Sequence, residues 1–366
     1  MNSKKGRIAP VSALIFVPLG IFLAGSAVLL FSTLFVPFAD FWNITAGTFI
    51  RFILAAVFSF LPFSFMELLL LSSPAIAAVF VRSAVRGAKK GKRELLKVIS
   101  VILTIAAVVW LFFSAGFAPG YRTSTLEKKL SLPKAEITAE TLYETTLLVI
   151  EELNEAAETV TFVKDGASVS PYGIKELSQK LSISYDSFEK DYGIINNFHS
   201  DVKPLVISPL MTYTHLSGIY SFFTGEANVN TNYPDFVVAF TAAHEMAHQR
   251  GIAREEEANF TAFLAMRASS DNYLRYSALL NLYEYLSDSL YSTDPELWQM
   301  QNSLLSPLAK SELRAYSLFF DKYRDTTASK VADSLNDAYL ESQGNQGTVS
   351  YGLVTHLAVA YYMNGK

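Results

Sequence analysis

Two histidines and a glutamate at helical spacing carry the clearest chemistry in this sequence. They form the motif His244-Glu245-Met246-Ala247-His248 in a chain that holds only 5 histidines. On a helix, residues i and i+4 lie on the same face, so both imidazoles can bind one metal ion. The glutamate between them can reach a water molecule at that ion. We therefore predict one catalytic zinc ion, with His244 and His248 as ligands and Glu245 as the general base.

A catalytic zinc site also needs a third protein ligand and one open position. Gly251 is expected to end the helix and to let the chain turn back, and three acidic residues begin the next predicted helix. The pattern Glu255-x-x-Ala258-Asn259 after the motif resembles that of the gluzincin peptidases, in which a helical glutamate completes the zinc site. The resemblance implies that Glu255 is the third ligand and that Asn259 supports a ligand histidine. Glu257, on the neighbouring helix face, is the alternative ligand.

The segment GEANVN at residues 225–230 is a candidate for substrate binding. Zinc peptidases pair an extended substrate with a strand edge beside the metal, and Glu226, Asn228 and Asn230 would lie on such an edge. A turn followed by a short structural strand is the equally weighted alternative. Several tyrosines and three basic side chains are candidates for stabilising a developing oxyanion: His199, His215 and Arg250.

Helices are predicted to position these residues. Asp235 is expected to cap a helix from Phe236 to Gln249 that carries the motif, and a second helix at 254–268 carries the acidic residues. Loops and short strands are predicted over 202–232, where proline, glycine and β-branched residues alternate. Apolar residues at helical spacing predict the remaining helices: 138–160, 172–191, 271–290, 295–324, 326–342 and 352–363.

The composition changes sharply at residue 117. The chain has 366 residues, of which 51% are hydrophobic and 17% charged, and its mean hydropathy is +0.24. Residues 1–117 hold 11 Lys and Arg against 3 Asp and Glu, a net charge of +8, whereas the remainder holds 19 against 31, a net charge of −12. The absence of cysteine excludes disulfides, cysteine-ligated zinc and thiol catalysis. The two halves are therefore predicted to be different domains.

The first half contains three apolar runs, each long enough to cross the hydrocarbon core as a helix. The predicted transmembrane helices are 11–36, 52–81 and 98–117. A linker is predicted over 118–135 and a domain over 136–366. Basic residues precede the first run and fill the connection at 82–97, so the positive-inside rule places the N-terminus in the cytoplasm and the domain outside.

The predicted fold class is mainly α: three N-terminal transmembrane helices followed by a mostly helical, zincin-like extracytoplasmic domain with a small β element. Glu67 lies within the second apolar run. A protonated acid that is hydrogen-bonded between helices is the favoured interpretation, and a direct role, as in a transporter, is the alternative. Three spans leave little room for a transport pathway.

The longer string HEMAHQRGIAREEEANF, the three apolar runs and the late Ser350-Tyr351-Gly352 segment resemble an uncharacterised bacterial family of multi-pass membrane proteins with a gluzincin-like HExxH motif. We predict a membrane-anchored zinc metallopeptidase that hydrolyses peptide bonds outside the cytoplasmic membrane. Its expected partners are a peptide or protein substrate and the lipid bilayer, not nucleic acid. The alternative is a non-catalytic surface binding or sensory module, in which a fourth protein ligand such as His215 or Glu257 closes a structural zinc site or catalysis has been lost.

Overall fold

The protein is mainly helical, as the sequence predicts. A computed structural model describes residues 11–324, a few positions between 326 and 334, and residues 350–364. The helix predicted at 326–342 lies largely outside the described residues, as do the basic residues that precede the first apolar run.

Long apolar helices form the N-terminal part. They are α1 (Val11–Leu34), α2 (Val36–Trp42), α3 (Thr48–Ser59), α4 (Phe65–Lys90) and α5 (Lys92–Leu111). A π-helical turn, Asn43–Gly47, joins α2 to α3 into one rod of residues 36–59, which we call the α2–α3 rod. Within the part of the chain that the structure describes, four helices are long and apolar enough to cross a membrane: Ala13–Leu34, Val36–Ser59, Phe65–Lys90 and Lys92–Arg122. The sequence predicted three.

The predicted second span, residues 52–81, is two helices rather than one. α3 ends at Ser59 and α4 begins at Phe65, and the chain between them contains Pro62. Ser64 is the N-cap of α4, and its hydroxyl accepts a hydrogen bond of 3.0 Å from the amide of Glu67. Ser-x-x-Glu is the pattern of a helix start. This local signal interrupts a helix although the hydrophobicity continues through it.

The membrane-type helices pack in a definite order. The hydroxyl of Ser100 on α5 donates to the carbonyl of Leu14 on α1, and the indole of Trp110 donates to Ser26. The contacts advance along both helices in the same direction, so α1 and α5 are parallel. α4 and α5 are joined only by Gly91 and pack closely beside it, so they are antiparallel.

The C-terminal part is a helical domain with one apolar core. Its helices are α6 (Leu126–Lys129), α7 (Ala139–Ala157), α8 (Ile174–Tyr192), α9 (Ser208–Met211), α10 (Asp235–Gln249), α11 (Glu255–Arg267), α12 (Asn272–Thr293), α13 (Pro295–Leu304), α14 (Pro307–Asp321) and α15 (Ser350–Tyr362). Leu142, Phe236, Phe260 and Leu279 are buried in the core, where α7, α10, α11 and α12 meet.

Two segments of this domain differ from the sequence prediction: one predicted helix is broken in two, and the predicted linker contains a short helix. The helix predicted at 295–324 is broken between α13 and α14, because Ser306 caps a new helix with Pro307 at its first position. The predicted linker at 118–135 contains α6 and several buried residues: Ala118, Tyr121, Leu126 and Leu130. The assignment of that segment as a linker stays a prediction.

A small three-stranded sheet packs beside α10. Its strands are β1 (Lys203–Pro204), β2 (Gly218–Ser221) and β3 (Glu226–Val229), in the order β1-β3-β2. β3 pairs in parallel with β1 and antiparallel with β2. The GEANVN segment therefore forms the central strand, which corrects the expectation that it is an edge. β1 and β2 are the two outer strands of the sheet.

Candidate metal centre

Helix α10 presents the motif at its C-terminal end. The helix stops where the sequence predicts, because Gly251 adopts a φ of +92°, which is costly for any other residue. The amide of Gly251 donates to the carbonyl of His248, and that of Ile252 donates to the carbonyl of Ala247. These bonds satisfy the last helical carbonyls and turn the chain toward α11.

His244, His248 and Glu255 form a group that could hold a metal ion. Glu255 is the first residue of α11, and its two carboxylate oxygens lie 3.2 Å from His244 Nε2 and 3.5 Å from His248 Nε2. One ligand atom from each residue lies within 4.8 Å of the other two. Ligand atoms placed 2.0–2.1 Å from a tetrahedral zinc ion lie about 3.3 Å apart. The spacing of the three side chains therefore fits a zinc ion.

The second nitrogen of each histidine is placed differently. His248 Nδ1 lies 2.7 Å from the carbonyl oxygen of Ile252, which can only accept a hydrogen bond. A proton on Nδ1 leaves the lone pair of Nε2 directed toward the ligand group, as in many metal sites. His244 Nδ1 is buried and has no hydrogen-bond partner among the residues that the structure describes.

The electrostatics of the group favour a positive charge at its centre. Burial raises the pKa of Glu255, but the charge of His248 and hydrogen bonds from both histidines outweigh it and hold this pKa far below its usual range. Burial lowers the pKa of His248, but the Glu255 carboxylate outweighs it and raises the pKa to about 9. The group therefore retains a proton readily, and a divalent cation can replace that proton.

Glu245 lies beside the metal-binding group without belonging to it. Its side chain is buried, and Oε2 has no hydrogen-bond partner within the described part of the chain. Burial raises the pKa of Glu245 to about 7, although the two histidines and a backbone hydrogen bond from Tyr220 lower it. A carboxylate with such a pKa can both accept and release a proton near neutral pH.

Strand β2 holds Glu245 in place through a contact that the sequence analysis missed. A Cβ atom on Gly218 would lie 2.5 Å from Glu245 Oε1, so only glycine leaves room for the carboxylate. The ring of Tyr220, two residues later, lies 5.3 Å from that of Phe117, which in turn packs edge-on against His248 at 5.9 Å. The only sequence signal was a glycine in an otherwise bulky strand.

Glu257 and Asn259 lie outside the ligand group. The Glu257 carboxylate accepts hydrogen bonds of 2.8 Å from the amide of Leu126 and from Arg254, so it is directed toward residues 121–126. No hydrogen bond joins Asn259 to either histidine in the described structure; the partner of His248 is Ile252. The supporting role implied for Asn259 stays a prediction.

The three polar residues of the GEANVN segment are buried and bonded within the protein. Glu226 accepts from the amides of Phe65 and Met66 at the start of α4, both at 2.9 Å. The side-chain amides of Asn228 and Asn230 donate to the carbonyls of residues 219 and 216. The observed contacts are structural, and a substrate role for these residues stays a prediction.

The basic candidates for oxyanion stabilisation are engaged elsewhere. His199 Nε2 lies 2.8 Å from the Asp186 carboxylate, and His215 Nε2 lies 2.8 Å from the carbonyl of Tyr323. Arg250 donates to the carbonyl of residue 198, and its guanidinium stacks over the ring of residue 185 at 4.5 Å.

Glu67 bonds to the domain rather than to another apolar helix. Its carboxylate accepts hydrogen bonds from the amides of Val206 and Ile207, at 3.0 and 2.7 Å. These contacts are structural, but they reach the domain, so the expectation of a hydrogen bond between apolar helices is wrong.

The comparisons with known proteins give the family. The family model described as "Protein of unknown function (DUF3810)" matches residues 47–359, which include the candidate metal-binding group and helices α3, α4 and α5. No curated protein and no solved structure matches the chain. The chain belongs to the DUF3810 family.

Proposed function

We propose that the protein is a membrane-anchored, zinc-dependent metallopeptidase that hydrolyses peptide bonds outside the cytoplasmic membrane. The observation that carries the proposal is that three side chains are grouped at the spacing of metal ligands while a fourth, a carboxylate, lies beside them. His244, His248 and Glu255 have the spacing of three zinc ligands, while Glu245 stands apart with a carboxylate oxygen that has no hydrogen-bond partner among the described residues. Three ligands with a separate carboxylate are typical of a catalytic site, whereas a structural zinc site needs four ligands.

In this proposal the bound zinc ion and Glu245 have different roles in hydrolysis. A bound zinc ion would act as a Lewis acid toward water and toward the scissile carbonyl. Glu245 Oε2 would accept the proton of the attacking water and then pass it to the departing amine nitrogen. Glu245 Oε2 suits this double role because it is buried beside the candidate ligands and has no hydrogen-bond partner among the described residues.

Strand β2 is the proposed docking edge for an extended peptide. It is one of the two outer strands of the sheet, and a backbone hydrogen bond from Tyr220 reaches Glu245. An extended substrate added along this edge would run beside the metal-binding group. This assigns to β2 the role that the sequence suggested for GEANVN.

The alternative of a closed structural zinc site receives less support. The two candidates for a fourth ligand are His215 and Glu257, which bond to Tyr323 and Arg254 instead. Among the described residues, the group whose ligand atoms lie close enough together to hold a metal ion consists of His244, His248 and Glu255. A binding or sensory module would hold zinc without turnover.

The proposed orientation follows from helix packing and charge. α1 and α5 run in parallel, and the turn between α4 and α5 carries Lys89, Lys90, Lys92 and Arg93. The positive-inside rule assigns that turn to the cytoplasm. The domain follows the opposite end of α5 and is therefore assigned to the outside.

Peptide hydrolysis by the purified full-length protein tests the proposal. With an unstructured protein substrate and zinc, we expect turnover that falls about 10²- to 10⁴-fold in Glu245→Gln. The matched control is Glu257→Gln, which removes a nearby buried carboxylate that lies outside the ligand group. Zinc-loaded wild type without turnover on any peptide, or equal rates for wild type and Glu245→Gln, would contradict the proposal.

A further inference from the structure

We propose that the α2–α3 rod, residues 36–59, lies along the outer surface of the bilayer and does not cross it, although it is long and apolar enough to do so. In this arrangement α1, α4 and α5 cross the membrane. The rod is then a lipid-binding surface between the bilayer and the domain that carries the metal-binding group.

The order of helix packing supports this arrangement. α1 and α5 are parallel, and α5 leads through the turn Ala118–Arg122 into the domain, so the end of α1 lies on the domain side. α4 is antiparallel to α5, so its start at Phe65 also lies on the domain side. The rod connects these two points. A crossing rod would place them on opposite sides of the membrane.

Contacts with the domain follow the whole length of the rod. Near its start, the Asp40 carboxylate accepts hydrogen bonds from the amide and hydroxyl of Ser124, at 2.9 and 2.8 Å. At the far end, Lys203 Nζ donates to the carbonyls of residues 59 and 61. A helix of 24 residues is about 36 Å long. A helix inside the hydrocarbon core would not meet polar groups of a domain at both ends and in between.

The middle of the rod is also bonded to the domain. Asn43 Nδ2 donates to the carbonyl of Gly251 at 2.9 Å, and Asn196 donates to the carbonyl of Ile44 at 2.6 Å. The backbone of Ala55 packs so closely on Gly225 that no Cβ fits there.

The two faces of the rod differ in polarity. The face toward the domain buries Asn43, Thr48 and Arg51, the last with only 1% of its surface exposed. The opposite face, together with Phe60 directly after the rod, exposes large apolar side chains: Phe41 (65%), Phe49 (63%), Ile53 (42%), Val57 (51%) and Phe60 (78%). From Phe49 onward they follow at intervals of three or four residues, which places them in one stripe, and Phe41 lies eight residues before Phe49, across the π-helical turn. A row of apolar side chains on a helix that lies parallel to a membrane inserts into the boundary between headgroups and acyl chains.

Lipid is the occupant that best fits this stripe. Both ends of the rod continue into α1 and α4, which expose apolar side chains of their own, such as Phe31, Leu34 and Leu68. The stripe is therefore continuous with the exposed apolar surfaces of two helices that are long and apolar enough to cross the bilayer. No change of environment is needed between the spanning helices and the rod.

The rod also contacts the turn that orients His248. Arg51 donates to Asn43 Oδ1 at 3.0 Å, and Asn43 holds the carbonyl of Gly251. The next residue, Ile252, provides the carbonyl that binds His248 Nδ1. The α2–α3 rod therefore contacts, through Arg51 and Asn43, the turn that follows His248.

Spin labels on single cysteines can measure this arrangement, because the native chain has no cysteine. The full-length protein is reconstituted in vesicles of phosphatidylcholine and phosphatidylglycerol, with labels at Phe41→Cys, Phe49→Cys or Phe60→Cys. Relative accessibility to oxygen and to a nickel chelate then gives the depth of each label. We expect similar, shallow depths at all three positions. Leu103→Cys, in the middle of α5, is the deep control, and Ile183→Cys, 59% exposed on α8, is the aqueous control.

Labelling from one side of the membrane provides an independent measurement. In intact cells an impermeant maleimide should label Pro37→Cys and Pro62→Cys, as it labels the domain control Asp165→Cys. Lys90→Cys should react only after permeabilisation. Labelling of positions 37 and 62 from opposite sides would overturn the proposal. So would a label at position 49 as deep as that at 103, or labels at 41, 49 and 60 as exposed to water as that at 183.

Discussion

The substitution Gly218→Ala, which adds a single methyl group, tests whether the position of the Glu245 carboxylate matters for catalysis. The Cβ of Gly218→Ala would lie 2.5 Å from Glu245 Oε1, 2.8 Å from Glu245 Cγ and 2.5 Å from Thr241 Cγ2. Ordinary contact begins at 3.4 Å, so the carboxylate must move by about 0.9 Å. A displacement of about 1 Å in a reacting group can lower the rate about 100-fold. We therefore expect kcat for peptide hydrolysis to fall about 100-fold, which corresponds to about 2.7 kcal/mol in the activation barrier.

The assay combines peptide hydrolysis with the metal content of the same sample. Bound zinc should be unchanged in Gly218→Ala, because the contacts of an added Cβ are with Glu245 and Thr241 and not with the three ligands. Gly173→Ala is the matched control, since a Cβ there meets nothing within 4 Å. A fully active Gly218→Ala protein would refute the assignment of Glu245 as the proton acceptor. Loss of zinc together with activity would refute its separation from the ligands.

Three further predictions concern the proposed ligand set, the turn after α10 and a half-buried acid, Glu284. Glu255→Gln should lose most of the bound zinc whereas Glu257→Gln should keep it, as measured by elemental analysis; the reverse result would restore the alternative ligand. Gly251→Ala should lower the thermal unfolding temperature, because the residue has a φ of +92° and a Cβ would lie 2.7 Å from Asn43 Oδ1; such strain costs about 1–3 kcal/mol, and an unchanged melt would contradict it. Burial and the charges of Asp288 and Glu312 raise the pKa of Glu284 to about 8. Its unfolded pKa is about 4.3, so the protonated acid favours the folded state at low pH, and this contribution is lost as the pH rises from about 4 to 8. Glu284→Gln should therefore melt higher than wild type at pH 8 and show a flatter pH dependence, and an equal pH dependence in both proteins would count against this.

The parts of the site that were predictable from sequence are local. The helix of Asp235–Gln249, its end at Gly251 and the position of Glu255 beside both histidines are set within a short stretch, where helical periodicity and a terminating glycine determine the geometry. Gly218 and Tyr220 were missed because they lie more than 20 residues before Glu245 and meet it only through the pairing of β2 with β3.

One error overlooked a local signal, whereas the others arose where distant segments decide the structure. Hydropathy alone joined α3 and α4 into one span, although the Ser64-x-x-Glu67 pattern marks a helix start. The two neighbours of β3 are short and lie elsewhere in the sequence, so its central position could not be read from its own residues. Hydropathy does not distinguish a helix that crosses the membrane from one that lies on its surface. The proposed location of the rod therefore depends on its contacts with the domain.

The central claim is that His244, His248 and Glu255 bind zinc while Glu245 does not. The zinc content of the purified full-length protein tests this most directly, measured for wild type, His244→Ala and Glu245→Gln. The full chain is required because residues 40–67 contact the domain at many points. We predict about one zinc per chain in wild type and in Glu245→Gln, and almost none in His244→Ala. A wild-type protein that binds no zinc, or a His244→Ala protein that binds as much as wild type, would contradict the account.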